Sequence, residues 1–137
     1  MKAPISRQNR QSSRSEASRK VWHGYYQALK PLQDSGKIQL PFVPDECRHN
    51  AHMFYIKAKN LEERTRLIAF LKENGITASF HYIPLHSAPA GKKYGRFSEE
   101  DRFTTKESER LLRLPMYYGL TEEDREYVCD KITQFYK

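Results

Sequence analysis

Apolar positions recur at two distinct periods along this chain, and each period predicts a different kind of element. From about Glu16 to Gln33, Val21, Tyr25, Ala28, Leu29 and Leu32 fall at three- and four-residue steps, which predicts an amphipathic helix. Gly24 weakens that helix, and Pro31 with Gly36 is expected to end it. Residues 37–50 carry Pro41 and Pro44 and read as a stiff extended connector. From His52 to Lys59 the period drops to two, with Phe54, Ile56 and Ala58 on one side of a predicted strand.

Asn60 then offers a helix cap, with Glu62 and Glu63 in the first turn. Leu61, Arg64, Leu67, Ile68 and Leu71 form the expected inner stripe, and Asn74-Gly75 supplies a left-handed stop. A second strand is predicted over Ile76 to Tyr82, with Ile76, Ala78, Phe80 and Tyr82 on one face and Thr77, Ser79 and His81 on the other. Pro84 and Pro89 open a loop that runs to about Arg102. Thr104 or Thr105 caps a short helix through Leu112, which Pro115 prevents from continuing. Thr121-Glu122-Glu123-Asp124 resembles a capping box and starts a last helix with Tyr127, Val128, Ile132, Phe135 and Tyr136 on its apolar side.

The sum is an α+β fold, a small sheet of two to three strands packed by helices. The 137 residues fit one domain. Three segments are expected: a disordered basic tail over 1–18, a linker helix over 19–36 and the folded body over 37–137.

Charge sharpens this division. Six of the 24 basic residues and only one of the 17 acids lie in residues 1–20, so the remaining 117 residues carry 18 bases against 16 acids. A near-neutral body argues against nucleic acid as partner, because that role needs a basic stripe on the folded surface. No apolar run approaches the ~20 residues that span a bilayer, so no membrane partner is expected. Cys47 and Cys129 stand at no special spacing and read as reduced thiols.

Four chemistries deserve weighing. Cys47, His49, His52, His81 and His86 include metal-ligating types, but no paired short motif fixes a tetrahedral site. Ala90-Gly91-Lys92-Lys93-Tyr94-Gly95 has phosphate-friendly residues without P-loop spacing. Cys129, Ser79 and Ser87 lack the surroundings of an activated nucleophile. His81 and Tyr82 remain, at a strand end that opens into a proline-bracketed loop, where small α/β domains present side chains to a cleft. The plainer alternative packs Tyr82 in the core and leaves His81 merely exposed.

The segments His52–Lys59, Leu67–Tyr82, Pro84–His86 and Thr105–Tyr117 closely resemble the C-terminal domain of the DegT/DnrJ/EryC1/StrS sugar-nucleotide aminotransferases. The most specific wording is His81-Tyr82-Ile83-Pro84-Leu85-His86 followed by Thr104 through Pro115, and the likeness covers residues 19–137. The resemblance implies the small domain of the aspartate-aminotransferase fold and a cytoplasmic homodimer that uses pyridoxal phosphate. It implies glutamate as amino donor and a dTDP-sugar, dTDP-4-dehydro-6-deoxyglucose, as acceptor. His81, Tyr82 and, less directly, His86 inherit contact with the sugar nucleotide.

The family's large domain, with its Schiff-base lysine and cofactor-binding groups, has no counterpart in this sequence. No catalytic, cofactor-binding or metal residue is therefore expected here, nor tight pyridoxal phosphate binding or transamination by this chain alone. Two other classes stay open: an independent α+β module that binds a nucleotide or RNA, and an inert remnant of a larger protein.

Overall fold

The computed structural model describes the backbone of residues 7–137 and the side chains from Ser15 onward. Its first element, α1 (Arg7–Asp34), is longer than the periodicity predicts. Of the tail expected to be disordered, residues 7–18 are helical and 1–6 lie outside the described residues. Arginine and glutamine are good helix formers, and extending an existing helix costs far less than nucleating one. Pro31 lies inside α1 instead of ending it. The stop comes at Gly36, whose φ is +73°. Gly36 N–H donates to the Gln33 carbonyl at 2.8 Å and Lys37 N–H to that of Leu32 at 2.9 Å, a Schellman closure.

The segment after α1 is part of the body, not a spacer beside it. Ile38 and Leu40 are buried in the same cluster as Trp22, Tyr25, Leu29 and Leu32 from α1. Gln39 also forms an antiparallel bridge with Lys57.

Strand β1 (Tyr55–Lys57) is followed by α2 (Leu61–Glu73). The Asn60 side chain caps α2 by accepting from Glu63 N–H at 2.9 Å. Gly75, at φ +75°, ends it as expected, and Ile76 N–H returns to the Leu71 carbonyl at 2.9 Å. Leu67 and Leu71 are fully buried, whereas Leu61 is 42% exposed and lies off the inner stripe. Strand β2 is short (Ser79–Phe80). The presumed loop holds a 3₁₀ turn at Leu85–Ser87 and α3 (Pro89–Tyr94), with proline in the position where a helix tolerates it.

The largest departure follows α4 (Thr104–Arg110): Leu111 and Leu112, expected as the end of a helix, belong to strand β3 (Leu111–Arg113). It is the central strand, in the order β1-β3-β2, antiparallel on both sides. Leu112 pairs with Ile56 on one side and Phe80 on the other. Local helix propensity runs on from Glu107 to Leu112, but pairing between two edges and complete burial of Leu112 outweigh it. Leu114 N–H extends the ladder to the Phe54 carbonyl at 3.0 Å.

Helix α5 (Glu122–Phe135) closes the structure. Thr121 caps it, accepting from Asp124 N–H at 3.0 Å. Its buried residues are Arg125, Val128, Cys129 and Ile132, while Tyr127, expected inside, is 47% exposed. Burial pushes the Cys129 thiol pKa up to about 12. Gly24 explains how α1 meets α5. A Cβ there would lie 2.2 Å from Nη1 of Arg125, so the glycine makes room for the guanidinium. Arg125 in turn pairs with Glu122 at 3.2 Å.

The register sorts the sheet into two faces. Ile56, Leu112 and Phe80 align across the three strands, and so do Tyr55, Arg113 and Ser79. Alternation puts the two rows on opposite faces. The first row includes the fully buried Ile56 and Leu112, and the second is polar and half open.

Candidate functional site

The polar face leads directly to the end of β2. His81 is two residues beyond Ser79 and is partly buried, while Tyr82 is 74% exposed. Tyr82 is therefore not packed in the core. The two rings meet edge-on, with centroids 4.9 Å apart and planes at 61°. The Arg113 guanidinium lies 5.8 Å from the centre of the Tyr82 ring, within cation–π range.

These three side chains border an open cleft of about 410 Å³ with Thr77, Ser79 and His52. His52 enters through an unusual backbone step. Ala51 is in the left-handed region at φ +51°, which costs a residue with a Cβ on the order of 1 kcal/mol. The Asn50 side-chain oxygen then accepts from His52 N–H at 3.3 Å and holds the ring nitrogen Nδ1 at 2.8 Å.

Two buried polar atoms in this cleft have no hydrogen-bond partner: His81 Nδ1 and Arg113 Nε. Such atoms are uncommon in folded proteins and call for an explanation. No lysine and no carboxylate lines the cleft among the described residues. Its chemistry is that of a donor-rich, cationic surface with one exposed aromatic ring.

His86 belongs elsewhere. Its Nε2 is 2.8 Å from Asp101 Oδ2 and 3.3 Å from Thr105 Oγ1. Thr105 Oγ1 also donates to Asp101, and Thr105 N–H donates to Asp101 Oδ1 at 3.3 Å. Hydrogen bonds from Thr105, with a contribution from His86, hold the Asp101 carboxyl below its ordinary pKa. The His86 ring packs on Phe97 at 4.4 Å and borders a second, mostly apolar cavity of about 510 Å³ with Leu85, Tyr94 and Gly91. This cavity shares no lining residue with the first. The structure thus brings His81 and Tyr82 together and leaves His86 apart.

The other sequence candidates are not assembled into sites. No group of three His, Cys, Asp or Glu could hold a metal among the described residues. His49 packs on Trp22 at 4.5 Å, and Cys47 is exposed. The Gly91 segment is helical. A Cβ on Gly91 would lie 1.6 Å from the Leu85 carbonyl oxygen, so its glycine serves close backbone packing. Sequence reasoning misses Arg113 as a site residue because it falls just past a helix expected to run through Leu112, with no strand predicted there. The signal was present in Leu112-Arg113-Leu114, where apolar–polar–apolar alternation marks a strand with the arginine facing out.

Residues 6–133 match the family model described as the DegT/DnrJ/EryC1/StrS aminotransferase family. The chain belongs to this family. Among curated proteins it is 36% identical over 103 residues to the "Pleiotropic regulatory protein" of Geobacillus stearothermophilus, covering 72% of this chain and 27% of that one. It is 29% identical over 119 residues to the "Spore coat polysaccharide biosynthesis protein SpsC" of Bacillus subtilis strain 168, covering 83% of this chain and 30% of that one. The fold matches a DegT DnrJ EryC1 StrS aminotransferase from Brucella abortus with a TM-score of 0.75 at 27% identity, covering 90% of this chain and 31% of that one. NtdA of Bacillus subtilis, solved with bound cofactor PMP, shares the fold at 23% identity and a TM-score of 0.75, covering 90% of this chain and 28% of that one.

The chain spans less than a third of the length of these relatives. As a DegT-type domain it carries the relatives' α+β architecture around the three-stranded sheet. The family's use of pyridoxal phosphate raises a test of fit. A Schiff base needs an unencumbered amine, and the pyridine nitrogen needs a carboxylate. The cleft offers neither. Lys57, which lies on the same sheet, is engaged with Glu107 at 2.7 Å. This cleft does not fit the cofactor by itself. No helix among the described residues is long and apolar enough to cross a membrane.

Proposed function

We propose that this chain is the C-terminal small domain of a pyridoxal-phosphate-dependent sugar-nucleotide aminotransferase, presenting His81 and Tyr82 to the sugar nucleotide. The observation that carries the reading is the cleft itself. A histidine and an exposed tyrosine sit beside an unpaired arginine, within a fold and family that transfer amino groups. His86 serves the same loop indirectly, by tying its far end to Asp101 and Thr105.

The cofactor and its reactive lysine come from a large domain outside this sequence, and a homodimer is the working assembly. The domain is soluble and cytoplasmic, with no role on nucleic acid or membrane. The specific reaction is amination of dTDP-4-dehydro-6-deoxyglucose by glutamate, giving dTDP-4-amino-4,6-dideoxygalactose for enterobacterial common antigen. Support for that substrate lies in the wording of His81–His86 and Thr104–Pro115. The name of SpsC, which places that relative in spore coat polysaccharide biosynthesis, agrees with a role in making surface sugars.

Two measurements test this. Titration of the isotopically labelled chain with dTDP-glucose, followed by NMR, should move the His81 and Tyr82 ring signals. Borohydride treatment after adding pyridoxal phosphate should leave no lysine adduct on this chain. Silent cleft signals would defeat the substrate reading, and either a trapped adduct or unaided transamination would defeat the dependence on a large domain.

A further inference from the structure

The arginines of the body differ in how their charge is answered. Arg64 donates to the Ser108 carbonyl at 3.1 Å, and Arg125 meets Glu122 at 3.2 Å. Arg110 is the most fully engaged: it donates to the Ala58 carbonyl at 2.8 Å, to Gln39 at 3.0 Å and to Glu107 at 3.0 Å. The Arg113 guanidinium, three residues further on, makes no hydrogen bond or ion pair among the described residues. It lies over the face of Tyr82, and its Nε is buried without an acceptor; the Nε atoms of Arg64 and Arg125 are buried unpartnered too, but another guanidinium nitrogen of each is answered. Removing part of a guanidinium from water without a counter-charge is costly.

The neighbouring groups share this deficit. His81 Nδ1 is also buried and unpartnered, and this nitrogen can donate in one tautomer and in the cation. Ser79 and Thr77 add hydroxyls, and His52 adds a second imidazole. With no carboxylate on the lining, the missing partner must be supplied from outside and must carry several acceptor oxygens. A planar five-donor guanidinium suits a phosphate better than any neutral ligand.

We infer that Arg113 and His81 form the diphosphate-recognising pair of this cleft, with Tyr82 flanking the bound group. The inference rests on the sugar-nucleotide reading above and names the part of the ligand that this domain holds. Arg113 is here a binding residue and takes no part in proton transfer.

The test uses the intact 137-residue chain and three probes: inorganic pyrophosphate, dTDP and thymidine. Arg113 Nε–H and the His81 ring are followed by NMR. Pyrophosphate and dTDP should both move these signals, and thymidine should not. Arg113→Gln should weaken pyrophosphate binding by at least about tenfold, the worth of one lost charge-assisted bidentate contact. Arg113→Lys should recover part of the loss, because it restores charge without the fork. It also serves should the glutamine variant fold poorly.

An affinity for pyrophosphate within twofold of the parent in Arg113→Gln overturns the assignment, as does an Arg113 Nε–H signal that stays still at saturation. If dTDP still binds that variant and moves Tyr82, the pair is wrong while the sugar-nucleotide reading survives. If pyrophosphate binds through Arg113 but dTDP binds no tighter and leaves Tyr82 unmoved, the anion site stands and the sugar-nucleotide reading falls. If no probe binds, both fall.

Discussion

His81 and His86 lie five residues apart on one connection and live in opposite circumstances. His86 is tied to both a carboxylate and a hydroxyl, because its Nε2 is within hydrogen-bond reach of Asp101 and Thr105. His81 has a buried nitrogen with nothing to bond, beside an arginine in the same condition. The first arrangement stabilises a loop, and the second leaves interaction energy unused until a ligand arrives. A satisfied histidine and an unsatisfied one can thus be told apart by their partners, although the sequence presents both as histidines near prolines.

The harshest way to break this comparison is to remove what both regions stand on. Leu112→Ala empties the centre of the sheet, between Ile56 and Phe80, and should cost about 2–5 kcal/mol, read by urea unfolding. Cleft and knot should be lost together. Cys129 gives a direct report: its buried thiol, with a pKa near 12, should ignore a thiol reagent at pH 8 in the parent and react as this variant opens.

Gly91→Ala separates the two regions. Its Cβ would strike the Leu85 carbonyl, so the backbone around the 3₁₀ turn must shift, at roughly 1–3 kcal/mol. Amide exchange should rise across residues 84–105, with Cys129 still protected and the His81 ring unmoved. Equal loss of protection in β1 would show that the knot supports the cleft after all.

Acid sharpens the comparison more gently. Asp101 titrates below its ordinary value in the folded chain. Its contribution is therefore complete above the unfolded pKa of about 3.9 and is lost as pH falls through the lower folded value. Exchange of the Thr105 amide should accelerate in that range, and Asp101→Asn should remove most of the pH dependence. The smallest stability change is expected for Arg113→Gln, within about 0.5 kcal/mol, because its guanidinium gives up only the exposed ring contact with Tyr82. Arg110→Gln breaks three sets of contacts and should cost distinctly more, on the order of 1–3 kcal/mol.

Much of this was legible in the chain. Caps at Asn60 and Thr121 and the stop at Gly75 are local signals, and each is where the residues place it. The pairing of His81 with Tyr82 at a strand end was legible for the same reason. Strand β3 was only faintly so: Leu112-Arg113-Leu114 alternates, but so short a run directly after a helix is outweighed by local helix propensity, and its partners at 55–57 and 79–80 define it. With β3 faint, Arg113 was missed too. The His86 knot depends on Asp101, 15 residues away, and no short-range pattern announces such a contact. Gly24 read as a weakness in α1 until Arg125, from the other end of the chain, was seen to lie against it.

The sheet order has a consequence for how the chain assembles. β1 and β2 never touch as ladder neighbours; each waits for residues 111–113 to arrive between them. During synthesis both early strands emerge before the one segment able to zip them. Closure of the sheet is then a late, long-range event that must follow emergence of the centre strand. Until then the two open edges are exposed to pairing with a neighbouring nascent chain.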